Sequence, residues 1–167
     1  LSFSFISQGN IQLVDFGMCT GKIYREEMQP TEFAGTVEYM APEVIKGHKY
    51  NQSVDYWSLG IVAYEMSVGC FPFTGTDEDE LCWMVCHQPV SFPSAFDPDL
   101  RSLIVGLLCK SAPERLGMDS CVLGKLRDQI FFAGLKWRDV ETCRLKAPFI
   151  PDSETSIRDL AKIYFLQ

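Results

Sequence analysis

The chain has 167 residues, 47% of them apolar and 22% charged, which suits one globular domain with a real core and excludes a disordered tail or a fibre. Fifteen Lys and Arg against 22 Asp and Glu leave a net charge of −7. That balance, with a pI near 4.8, argues against nucleic acid or an anionic membrane as the main partner and leaves basic peptides open.

The first residues, LSFSFIS, are too few and lack the basic flank of a signal peptide. No apolar run is long and unbroken enough to predict a transmembrane segment. The spacing then predicts a short strand over Ile11–Val14, ending at Asp15-Phe16-Gly17. Residues 18–40 show no sustained period and contain Gly, Pro and Thr, which predicts a long loop of the kind usually kept for function. Pro42 is placed to start a short helix that stops at Gly47. Ser53–Val68 is apolar nearly all round, which predicts a helix buried on every side and ended by Gly69 and Pro72. Thr76 is expected to cap the next helix, with Asp79 completing a capping-box variant and Glu80 to Gln88 continuing it.

Seven cysteines occur without a Cys-x-x-Cys, so neither a disulfide framework nor a zinc ribbon is indicated, and reduced thiols fit a cytoplasmic protein. Cys82, Cys86 and His87 cluster within the apolar helical pattern, where packing is the expected role rather than metal binding. Asp97-Pro98 opens a further helix, with Leu100, Leu103, Ile104, Leu107 and Leu108 on one face. Asp119 or Ser120 is expected to cap another over Val122 to Phe132. From Ala147 the chain reads as extended, punctuated by Pro148 and Pro151, and then as a short amphipathic stretch.

Asp15-Phe16-Gly17 alone is weak evidence of anything, but Ala41-Pro42-Glu43 follows downstream. The two resemble the DFG and APE signatures that bracket a protein-kinase activation loop. Gly35 to Met40 resembles the GTPEY segment, Asp55 to Gly60 the DxWSxG start of the kinase F-helix, and Glu114-Arg115-Leu116-Gly117 the late ERLG element. Asp15 to Cys19, Lys49 to Asp55 and Asp77 to Leu81 are most similar to AGC-group kinases of the novel protein kinase C type, delta or theta. Phe131-Phe132, Trp137 and Ala147 to Pro151 resemble the start of the AGC C-terminal tail.

The resemblance implies a mainly α fold, the C-terminal lobe of the α+β protein-kinase fold, with the N-lobe and the catalytic loop not included. It divides the chain into an unmatched segment 1–8, a C-lobe over 9–132, and a tail start over 133–167. The implied activity is transfer of the ATP γ-phosphoryl group to Ser or Thr in basic sequence contexts. The HRD aspartate is not among these residues, so the chain by itself is expected to be inactive. The alternative is a kinase-derived module that binds substrates or partners without chemistry.

The implied roles fall on matched positions. Asp15 would hold Mg²⁺ against the ATP phosphates, with Gly17 freeing the turn and Phe16 packing beneath it. Glu43 and Arg115 would form a buried ion pair; Asp55 and Trp57 would be architectural. Glu38 and Glu65 would receive basic residues of a peptide. Phe33, Val37 and Met40 would wall an apolar pocket for the residue after the target, and Thr36 would orient the catalytic aspartate. Thr31 is the candidate activation-loop phosphoacceptor for an upstream kinase, while Glu32 stands where the phosphothreonine is usual and is expected to act as a fixed acid in its place.

Overall fold

A computed structural model describes residues 2–5, 9–17, 19, 35–148 and 150. Most of the loop expected over 18–40, including Thr31, Glu32 and Phe33, lies outside the described residues, as do Phe149 and the stretch 151–167. The chain divides into two units, residues 18–133 and residues 1–17 with 134–167.

The larger unit is helical. Its helices are α1 (Pro42–Ile45), α2 (Ser53–Val68), α3 (Glu78–His87) and α4 (Pro98–Leu107). Pro42 opens α1 at a position where its missing N–H costs nothing, and Gly47 follows it at φ 66°. Helix α2 has the predicted bounds, and Gly69 ends it at φ 82° with its N–H donating to the Glu65 carbonyl at 2.8 Å. It is not buried on every side, however. Ser53, Trp57, Gly60, Ile61 and Tyr64 make one buried stripe, while Met66 is 70% exposed. Apolar composition says that a helix packs, but only its neighbours decide which face does.

Those neighbours are α4 and the segment around Phe73. A Cβ on Gly60 would lie 2.8 Å from Leu108 and 2.9 Å from Leu107, so glycine here lets the α4 end approach α2 closely. Trp57 stacks on Phe73 with centroids 5.9 Å apart, and Tyr64 donates to the Ser91 carbonyl at 2.9 Å. A second cluster joins Leu103, Leu107, Leu116 and Cys121 beneath α4.

The caps differ from expectation in one place. Asp97-Pro98 opens α4 as expected, and Asp97 is its cap, accepting from the Leu100 N–H at 2.8 Å. For α3, Asp77 rather than Thr76 is the cap: its carboxylate accepts from the Glu80 N–H at 2.8 Å. Glu80 reaches back and accepts from both the N–H and the hydroxyl of Thr76 at 2.7 Å. The box is shifted by one residue, because Glu80 is long enough to close it and Asp79 is not.

The helix expected over Val122 to Phe132 does not form. Two 3-10 turns, Leu126–Asp128 and Ile130–Phe132, stand there instead. Gly124 at φ 79° breaks the run, and the Gln129 side chain donates to the Leu123 and Lys125 carbonyls that a helix would use.

In the smaller unit, β1 (Ser2–Phe5) pairs antiparallel with β2 (Ile11–Val14), Phe5 opposite Ile11 and Ser2 opposite Val14. No local pattern in the sequence marks residues 2–5 as a strand. Helix α5 (Trp137–Glu141) follows in the same unit, and an Arg144–Asp139 ion pair at 3.1 Å ties down its end. Among the described residues no helix is long and apolar enough to cross a membrane.

Candidate functional site

The strongest constraint in the larger unit is a buried ion pair. Glu43 lies in the first turn of α1 and Arg115 follows the 3-10 turn Ala112–Glu114, 72 residues later. Arg115 donates to the two Glu43 oxygens at 2.7 and 2.9 Å, a bidentate fork. Its remaining donors reach the Ser53 carbonyl at 2.9 Å and the Cys109 carbonyl at 3.0 Å. The Ser53 hydroxyl adds a third bond to Glu43, at 3.1 Å. Burial by itself would raise the Glu43 carboxyl, but the hydrogen bonds and charge of Arg115 outweigh it and hold the pKa below its ordinary value. This ties the start of α1, the start of α2 and the segment after α4 to one point.

Gly117 follows at φ 101°, and a Cβ there would meet the Tyr56 ring at 2.4 Å. Trp57 is fully buried, and its Nε1 has no hydrogen-bond partner among the described residues. Asp55 stands exposed in the first turn of α2, where a carboxylate suits the helix dipole; desolvation by nearby atoms raises its pKa.

A second arrangement gathers acids around a tyrosine. Val37–Tyr39 forms a 3-10 turn held by the Tyr39 N–H donating to the Thr36 carbonyl at 3.0 Å. The turn sends the Tyr39 hydroxyl to Glu65 Oε2 on α2, 2.9 Å away. The Tyr39 ring meets Phe71 edge-on at 5.4 Å. Burial, the Glu65 bond, and the charges of Glu65 and Glu38 together push the Tyr39 hydroxyl up to about 12. Glu38 and Glu65 are both half-buried and both act on one phenol, so the fold brings these two predicted acids into one electrostatic neighbourhood. Tyr39 itself was missed from sequence. Nothing local to the turn signals a partner 26 residues away.

Glu38 and Val37 also line a cleft of about 290 Å³ with Asp77, Glu78 and Leu81. Met40, expected on an apolar pocket wall, is not among its lining residues. At 5% exposure it belongs to the core beside Ala41 and Val44. Thr36 is exposed, and its hydroxyl makes no capping bond.

In the smaller unit Asp15 is exposed and holds φ 61°, the left-handed conformation that Asp tolerates better than most residues. Gly17 sits close by, where an added Cβ would lie 3.5 Å from Asp15 Oδ1. Phe16 is 64% exposed rather than packed beneath the turn, because a two-stranded ribbon has no apolar layer of its own to offer. One exposed carboxylate suits Mg²⁺, which takes one or two such ligands and fills its shell with phosphate oxygens and water. No group of three or more His, Cys, Asp or Glu able to hold a metal occurs among the described residues.

A sequence model of the protein kinase domain matches residues 4–125 of the chain. The chain is 42% identical over 144 residues to a putative protein kinase C delta type homolog of Drosophila melanogaster, aligning 86% of this chain with 21% of that protein. It is 37% identical over 148 residues to protein kinase C-like 1 of Caenorhabditis elegans, covering 89% of this chain and 21% of the relative. Against the human RAC-beta serine/threonine-protein kinase the identity is 36% over 149 residues, covering 89% and 31%. The chain thus spans about a fifth to a third of the length of these relatives.

Proposed function

Since the chain belongs to the protein kinase family, on its AGC branch, we propose that it is the peptide-holding portion of a serine/threonine kinase that acts on basic sequence contexts. The observation that carries this reading is the pair of half-buried acids around Tyr39. Glu65 is held in place by the tyrosine hydroxyl, and Glu38 lies beside it on the 3-10 turn. A carboxylate held this way has lost its rotamer freedom before the ligand arrives, so an arginine of the substrate meets a preorganised acceptor. Val37, on the same turn, offers the apolar contact for the residue after the target, with Met40 supporting the turn from the core beneath. Thr36 would steady a catalytic aspartate, and Glu43, Arg115, Asp55 and Trp57 would hold the platform's frame.

Protein kinases use ATP and Mg²⁺, and the metal neutralises charge on the transferred phosphoryl group. Asp15 is the residue here that would contribute a carboxylate to that ion. Thr31 would receive the activating phosphate from an upstream kinase, or Glu32 would stand in for it with a smaller charge.

The HRD aspartate is not among the 167 residues, so the chain assayed alone is expected to bind an arginine-rich peptide without phosphorylating it. Fluorescence anisotropy with such a peptide tests the platform. Glu65→Gln is expected to weaken binding by about tenfold, in line with the loss of one charge-assisted pair. A variant that binds as tightly as the parent would remove Glu65 from the site. Phosphate incorporated into the peptide by the parent chain would overturn the expected inactivity.

A further inference from the structure

A cavity of about 530 Å³ opens beside α1, and its lining carries three lysines against one acid. Lys46, His48, Lys49 and Lys110 line it, facing Glu43 as the one acid. That concentration is unexpected in a chain of net charge −7 with only two histidines. Glu43 cannot balance it, because both of its oxygens are taken by Arg115 and one also accepts from Ser53. Among the described residues Lys46, His48 and Lys49 form no ion pair.

Lys110 is the least comfortable of the set. Its side chain is only partly exposed, and its Nζ donates to the Val85 carbonyl at 2.6 Å. The ammonium sits 3.9 Å from the Phe73 ring centroid and 4.9 Å from that of Trp57. The rings offset part of the lost hydration, but no carboxylate accompanies the charge, and the other nearby charges include Lys46 and Arg115. Burial first, then the repulsion of those cations, brings the Lys110 pKa down to about 8, despite opposing effects of Cys86 and Cys109. Lys110 thus lines the cavity with its ammonium held by a carbonyl and two rings and no carboxylate, while Lys46 and Lys49 bring two further cations to the same lining.

We propose that this cavity binds the phosphoryl group of a small phosphate ester, with Lys46 and Lys49 at its mouth and Lys110 on its inner wall. Several point charges converging on one volume favour a dianion over a singly charged carboxylate. The volume also exceeds what inorganic phosphate needs, so an organic body fits beside the phosphoryl group. The cavity is distinct from the acidic platform, with which it shares no lining residue.

The test is a titration of the 167-residue chain, followed by NMR of its amide resonances and of dimethylated lysine side chains. Inorganic phosphate and O-phosphoserine serve as probes, and sodium acetate and chloride at matched ionic strength serve as controls. Saturable shifts at residues 46–51 and at Lys110, with the Lys110 pKa moving up from about 8, are expected. Tighter binding of O-phosphoserine assigns the spare volume to the organic body, whereas equal binding assigns the site to the phosphoryl group alone. Lys46→Ala/Lys49→Ala, at two exposed positions away from the core, should weaken binding about five- to tenfold and leave the fold intact. Lys110→Met checks the inner wall and should abolish the remainder. Equal responses to acetate or chloride, shifts that do not saturate, or unchanged affinity in the double variant would each overturn the proposal.

Discussion

Glu43 and Glu65 are both glutamates on helices of one unit, and the fold treats them in opposite ways. Glu43 is 8% exposed and receives three hydrogen bonds, two from a guanidinium and one from a hydroxyl. Glu65 is half-buried and receives one side-chain hydrogen bond among the described residues, from Tyr39. A charge taken fully out of water has to be satisfied within the protein, so its capacity is used up by architecture. A charge left at the boundary can be oriented by one bond and still have lone pairs for a ligand. In this chain the well-satisfied acid belongs to the frame, and the partly satisfied one is the acid we propose for peptide recognition.

Arg115→Ala is the largest blow to that contrast. It strands Glu43 and should lower the unfolding free energy by about 3–5 kcal/mol, read from urea denaturation. A loss of under about 1 kcal/mol would place Glu43 with Glu65 instead. The acid limb of stability sharpens the same point with a smaller effect. Glu43 is held below its ordinary value, so its contribution is complete above about 4.5 and fades as pH falls through the lower folded value. In Arg115→Ala, burial, which raises the carboxyl, is opposed only by the Ser53 hydroxyl and a backbone hydrogen bond, so this contribution should shrink and the variant should lose less stability on acidification than the parent. Tyr39→Phe probes the other acid and should cost about 1 kcal/mol or less, the net value of a half-exposed hydrogen bond. Its signature lies at high pH. The phenol goes from an ordinary 10 to about 12 on folding, so its contribution is intact below pH 10 and is lost as pH rises towards 12. Parent and variant chevrons or melts compared at pH 9 and pH 11 should diverge accordingly, and parallel behaviour would detach Tyr39 from Glu65.

Much of the local structure was legible in the residues. The bounds of α2, the Asp97 cap and the Gly69 stop depend on interactions within a few positions, and such signals survive into any fold that keeps the helix. The α3 cap lies one residue later than expected, because Asp77 accepts from the Glu80 N–H while Thr76 instead donates to the Glu80 carboxylate, and nothing in the residue types alone separates the two roles. The helix expected near Val122 failed for a related reason, since Gln129 competes for the carbonyls. The exposure of Phe16 and the burial of Met40 were not legible at all: each depends on what packs nearby, and an apolar residue carries no mark of its neighbour.

The order of DFG, APE, DxWSxG and ERLG-like segments is a property of the chain, and it determined the family and the residue types available for chemistry. The meeting of Glu43 with Arg115 across 72 residues could be expected only through that resemblance, and its geometry belongs to the packed structure. The grip of Tyr39 on Glu65, and the gathering of Lys46, Lys49 and Lys110 around one cavity, were decided by tertiary structure alone. Hydrogen bonds and Coulomb forces act over a few ångströms of space, whatever the distance along the chain, so sequence names the charges and only folding chooses their partners.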